Sequence, residues 1–170
     1  NPNQYCLMDW RKLLIGKWSW KRPFYTIFWC YILLTFYGYF MADNIIFQPP
    51  ETPYPKNRAG FSSIGTADKT VAIFHLKPGP EMPTILWSHG NAQNLNSLKP
   101  ALESFHIRGF GVISYDYPGY GESGGKPTEK GCYEAIEETY RYLIEDQGVA
   151  PEHIILVGQS VGSGPTCWLA

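Results

Sequence analysis

Four short apolar runs constrain this chain more than anything else in it. They are TVAIFHL (70–76), TILWSHG (84–90), FGVISYDY (110–117) and HIILV (153–157). Each is rich in β-branched and aromatic residues, and each is apolar at successive positions, as a strand covered on both faces must be. Between them the periodicity changes to that of helices. Residues 97–108 put Leu98, Leu102 and Phe105 on one face, with Ser97 as the expected N-cap and Gly109 as the stop. Residues 128–147 align Tyr133, Ile136, Tyr140, Leu143 and Ile144, with Thr128 to cap the start, Gly148 to end it and Glu137 paired with Arg141. A further helix is expected from Val161 onward. Strands alternating with helices predict an α/β fold, a mostly parallel sheet with helices on both faces.

In such a sheet, chemistry collects at the carboxyl ends of the strands. The run 153–157 stops there in Gly158-Gln159-Ser160-Val161-Gly162. A serine between strand and helix has to occupy a sharp, strained turn. Gly158 and Gly162 remove the Cβ atoms that would clash as the two elements close. The hydroxyl then projects at the start of a helix, where free N–H groups favour negative charge. A serine attacking a carbonyl needs that environment, because the carbonyl oxygen becomes an anion.

Two more stretches fall at the same sheet edge. In His89-Gly90-Asn91-Ala92, Gly90 lets the backbone turn so that the Asn91 N–H can join the Val161 N–H in an oxyanion hole. His89 has two readings, a general base or a brace for this loop; the brace is favoured because a base has to reach the nucleophile by hydrogen bond. The stretch YDYPGYGESGG (115–125) carries Gly119, Gly121, Gly124 and Gly125 and predicts a tight strand-exit loop. It lacks both the G-x-G-x-x-G spacing and the lysine-serine pair of a phosphate cradle.

Residues 23–42, PFYTIFWCYILLTFYGYFMA, hold no charged side chain. Twenty residues at about 1.5 Å each make roughly 30 Å, the thickness of a bilayer's hydrocarbon core. Arg11, Lys12, Lys17, Lys21 and Arg22 precede the run, and Asp43 is the first charge after it. That asymmetry predicts a transmembrane anchor with a cytoplasmic N-terminus and the rest of the chain on the opposite side. The nine aromatic residues between Phe24 and Phe40 leave an interfacial helix open, and a buried soluble helix is the third reading. Residues 1–22 form a basic and aromatic flank. Residues 43–67, with Pro49, Pro50, Pro53 and Pro55, read as a connector to a domain at 68–170.

A balance of 14 Lys+Arg against 15 Asp+Glu, with no basic block, argues against a nucleic-acid surface. The four cysteines form no C-x-x-C pair or Cys/His cluster, so no metal, cofactor or disulfide framework is expected.

Taken in order, HGNA, then DYPGYGESGGKPTE, then GQSVGSGP resemble the α/β-hydrolases. They especially resemble the membrane-associated ABHD-type branch with its protein depalmitoylases and serine-aminopeptidase-like bacterial relatives. The resemblance covers about residues 68–170. It implies Ser160 as nucleophile and the Asn91 and Val161 N–H groups as oxyanion donors. It also implies an acid and a histidine after the nucleophile, yet no Asp, Glu or His follows Ser160. The expectation is therefore the front part of a longer hydrolase, inactive and poorly folded by itself because the strand at 154–157 leaves an apolar edge. Its expected partners are a lipid bilayer and an acyl ester or thioester substrate. Peptidase activity stays open, and so does the alternative of an inactive, membrane-tethered binding protein.

Overall fold

The computed structural model describes residues 19–51, 54, 58–66 and 69–170. The expectations placed on Arg11, Lys12, Lys17, Pro53 and Pro55 lie outside the described residues. Two compact units divide the chain at Ala42/Asp43.

The first unit ends within helix α1, Arg22–Ile46, which is 25 residues long, about 37 Å, and is long and apolar enough to cross a membrane. None of its residues is buried; Phe24, Ile27, Leu34 and Tyr39 are all open to the surroundings. Cys30 is on its surface.

The second unit is a sheet with helices on both faces. Its elements in chain order are β1 (Phe61–Thr66), β2 (Lys69–Leu76), β3 (Thr84–Ser88), α2 (Leu95–His106), β4 (Gly111–Tyr115), α3 (Glu129–Arg141), β5 (Ile154–Gly158) and α4 (Ser163–Leu169). The spatial order is β1-β2-β4-β3-β5. β4, β3 and β5 are parallel, with Leu86 opposite both Ile113 and Leu156. β1 and β2 run antiparallel, so the sheet is mixed, with its parallel part at the end that carries the motifs.

Strand side chains alternate between two cores, which is why the runs are apolar at every position. Val71, Ile73, Leu86, Ile113 and Tyr115 face Cys132, Ala135, Ile136 and Leu143 of the α3 segment. Ala72, Phe74, Ile85 and Val112 face Leu95, Leu98 and Leu102 of α2. β5 lies at one edge of the sheet, with Ile155 exposed.

Several local expectations are corrected. β1 lies inside the stretch read as connector; FSSIGT has only Phe61 and Ile64 to mark it, and its other residues face solvent. Helix α2 starts three residues earlier than expected, at Leu95. Asn94 is its N-cap, its side chain accepting from the Ser97 N–H, while Ser97 Oγ accepts the Asn94 N–H. Ser97 is thus the N3 partner of a capping box and not the cap. Thr128 does cap α3, but the helix loosens into a π turn at Tyr142–Asp146 before Gly148. Arg141 pairs with Glu138, and Glu137 instead accepts a bond from the Trp168 indole of α4.

Candidate functional site

β5 ends at Gly158, Gln159 is still extended, and Ser160 turns the chain with φ of +52°. A non-glycine residue there costs about 1–3 kcal/mol and persists only where its surroundings hold it. Here the Gln159 N–H donates to Ser88 O at 3.0 Å and the Gly162 N–H to Gln159 O at 2.9 Å. The Ser163 hydroxyl adds a bond to Ser160 O at 2.6 Å.

Both flanking glycines are dictated by closeness. A Cβ on Gly162 would stand 2.3 Å from Ser88 O and 2.7 Å from His89 O. One on Gly158 would stand 2.6 Å from the Thr166 hydroxyl and 2.8 Å from Gly162 O. Ser160 itself is exposed at the tip, and Val161, next to it, is half-buried.

The loop after β3 sits against this turn. Gly90 is buried, and a Cβ there would lie 3.0 Å from Gln93 Oε1 and 3.7 Å from Gln159 Cδ. The Gly90 N–H donates to Gln93 Oε1 at 2.8 Å. Asn91 Oδ1 accepts the Ala92 N–H at 3.0 Å, which holds Ala92 at φ +54°. It also accepts the Tyr120 hydroxyl at 2.7 Å and the Gln48 N–H at 3.0 Å. Thus His89 and Gly90 lie against Gly158–Gly162, and Asn91 follows them in the same loop.

His89 is fully buried and braces this loop. Its Nδ1 is 2.8 Å from Gly90 O, a group that only accepts, so Nδ1 carries the hydrogen. Nε2 faces Asp116 Oδ1 at 3.4 Å, and Tyr117 lies against the ring while its hydroxyl donates to His89 O at 2.6 Å. Burial lowers the His89 pKa to about 4 and raises that of Asp116 to about 7. Both shifts favour neutral forms, so the pair is a carboxyl beside an imidazole and not an ion pair. Asp116 Oδ1 accepts the Leu95 N–H at 3.0 Å, tying the loop after β4 to the start of α2.

The other histidines stand apart from Ser160. His75 on β2 approaches Tyr142, His106 approaches Phe110 O at 3.2 Å, and His153 precedes β5. Among the described residues no group of His, Cys, Asp and Glu could hold a metal ion. A cavity of about 650 Å³ lies between β2 and α3, and Ser160 does not line it.

Sequence reasoning missed Tyr120, Asp116 and Gln48. Asp116 and Tyr120 lie inside the glycine-rich stretch, whose polar residues could have been weighed beside its glycines. Nothing in the sequence marks Gln48, which acts through its backbone N–H.

Comparison with known proteins agrees with this fold. A family model described as alpha/beta hydrolase fold matches residues 83–170. Alpha/beta hydrolase domain-containing protein 17C of Xenopus tropicalis is 48% identical over 93 residues, 51% of this chain and 28% of that protein. The human protein 17B is 45% identical over 93 residues, 51% of this chain and 31% of its own length. The chain therefore spans less than a third of the curated relatives it matches. Among solved structures, mouse alpha/beta hydrolase domain-containing protein 10 superposes with a TM-score of 0.52 at 27% identity, covering 65% of this chain and 43% of its own. An esterase of Pyrococcus furiosus gives 0.55 at 21% identity, covering 69% and 50%.

Proposed function

The chain belongs to the α/β-hydrolase fold family, and from that premise we propose that it is a membrane-anchored serine hydrolase acting on esters or thioesters. The observation that carries the reading is Ser160: exposed, held at φ +52°, and flanked by two glycines whose positions admit no Cβ. The Ser160 oxygen attacks the acyl carbonyl carbon and gives its proton to a base. The Asn91 and Val161 N–H groups stabilise the oxyanion. Collapse breaks the bond to the alkoxide or thiolate, which leaves with the proton, and water then hydrolyses the acyl-enzyme.

His89 does not serve as that base. Its ring is buried, its Nδ1 hydrogen is committed to Gly90 O, and burial holds its pKa near 4. The anchor is α1, and the cations Lys21 and Arg22 before its uncharged run 23–42, against Asp43 after that run, favour a cytoplasmic N-terminus.

The test is a fluorophosphonate probe applied to membranes that express the intact gene. The protein resists alkaline extraction and takes the label, and Ser160→Ala abolishes labelling. Labelling that survives in Ser160→Ala refutes the nucleophile. An unlabelled wild type beside a labelled control hydrolase points to the tethered binding protein. That second reading rests on the lack of a histidine at Ser160 among the described residues.

A further inference from the structure

The Tyr120 hydroxyl makes bonds that neither packing nor the chemistry of Ser160 explains. It donates to Asn91 Oδ1 at 2.7 Å and accepts the Gln48 N–H at 2.9 Å. The same Gln48 N–H reaches Asn91 Oδ1 at 3.0 Å, so the three groups close a triangle. Asn91 Nδ2 donates to Ile46 O, the last carbonyl of α1. Phe47, between these contacts, is buried in the core that contains Tyr120, and its N–H donates to Asp43 O at 2.9 Å.

Asn91 is therefore gripped at both ends of its amide. Its carbonyl accepts three hydrogens and its NH2 group caps a helix end that would otherwise be left unsatisfied. A side chain so fully used has one orientation, and the backbone of residues 91 and 92 has to follow it. Ala92 at φ +54° is the sign that it does: the strained conformation is held by the Asn91 Oδ1 bond to its own N–H.

We propose that Tyr120 is a positioning residue, which sets the Asn91 N–H by locking the Asn91 side chain to the segment Ile46–Gln48. The inference rests on the reading of Ser160 as nucleophile and Asn91 as oxyanion donor. An oxyanion donor must stand within a few tenths of an ångström of its place, and displacement by about 1 Å costs on the order of 100-fold in rate. Without the Tyr120 hydroxyl, Asn91 Oδ1 and the Gln48 N–H each lose a partner and the lock loosens.

The test uses the intact gene product in detergent, comparing Tyr120→Phe with Tyr115→Phe. Tyr115 is an equally buried tyrosine whose hydroxyl meets Ser88 Oγ at 2.8 Å and not the loop. Tyr120→Phe is expected to lower kcat on a p-nitrophenyl ester about 10- to 100-fold with KM within about twofold, and to speed amide hydrogen exchange in residues 89–94. Tyr115→Phe is expected to lower Tm and keep both kcat and the exchange pattern. Unchanged exchange in Tyr120→Phe, or a kcat loss no greater than that of Tyr115→Phe, overturns the inference. Full turnover by Ser160→Ala overturns the reading it rests on, and the inference with it; faster loop exchange alongside an inactive Ser160→Ala supports both.

Discussion

Replacing Asp116 by Asn tests the electrostatics of the loop brace at its most exacting point. The His89 Nε2 lone pair faces Asp116 Oδ1, and that oxygen already accepts the Leu95 N–H. Two acceptors at 3.4 Å repel unless a proton lies between them, and burial makes the carboxyl keep its proton well above the ordinary range. Burial raises Asp116 from 3.8 to about 7 and lowers His89 from 6.5 to about 4.

A raised pKa stabilises the fold fully below the unfolded value and loses that stabilisation as pH climbs through the folded one. For Asp116 the loss runs from about pH 4 to about pH 7. For His89, a base whose pKa is lowered, the stabilisation is complete above 6.5 and lost as pH falls toward 4. In the wild type the two slopes cancel between these limits. Asp116→Asn keeps the shape and the acceptor for Leu95 but removes one slope.

At roughly 1.4 kcal/mol per pH unit, the variant should lose about 3 kcal/mol between pH 6.5 and 4 while the wild type changes little. Over pH 4 to 7, wild type and variant should diverge by about 4 kcal/mol in the variant's favour. Thermal unfolding in detergent at pH 5 and pH 8 reads this as a change in the Tm difference on the order of 10 °C. A Tm difference that is the same at both pH values refutes the argument, because Asp116 would then ionise as an ordinary carboxylate.

Gly162→Ala should destabilise by about 3 kcal/mol despite a helical φ of −64°, because its methyl would meet two backbone oxygens that cannot swing away; denaturant midpoints measure it, and a loss below about 0.5 kcal/mol would contradict the close approach of the elbow to β3. Asn94→Ala removes the capping box of α2 and should cost about 1 kcal/mol, seen as a lower Tm with faster exchange in the first turn of α2.

What the sequence reveals here follows from how local each cause is. The strands at β2–β5 are legible because their two-faced burial is written in consecutive residues such as Val71-Ala72-Ile73-Phe74, which the two cores divide between them. The elbow is legible because close approach demands glycine at fixed offsets on either side of Ser160. β1 is not, since an edge strand with Ser62, Ser63, Gly65 and Thr66 exposed carries no run to detect. Glu137 and Arg141 have the spacing of an ion pair, but Trp168 brings Glu137 a competing donor from another helix that no spacing rule foresees.

The polar groups behind the site were the least legible, and they share one property. Each joins the loop after β3 to a segment distant in sequence: Tyr117 to His89 O, Asp116 to His89, Tyr120 to Asn91, and Gln48 to Asn91 across 43 positions. β3 and β4 are neighbours and parallel, so their exit loops emerge side by side and their polar residues must satisfy one another or remain unpaired in the core. A chain that keeps the elbow but loses these bridges would retain its glycines and its serine while the Asn91 N–H wandered. The geometry around Ser160 is therefore a property of two loops packed as one unit, and the elbow motif alone specifies only half of it.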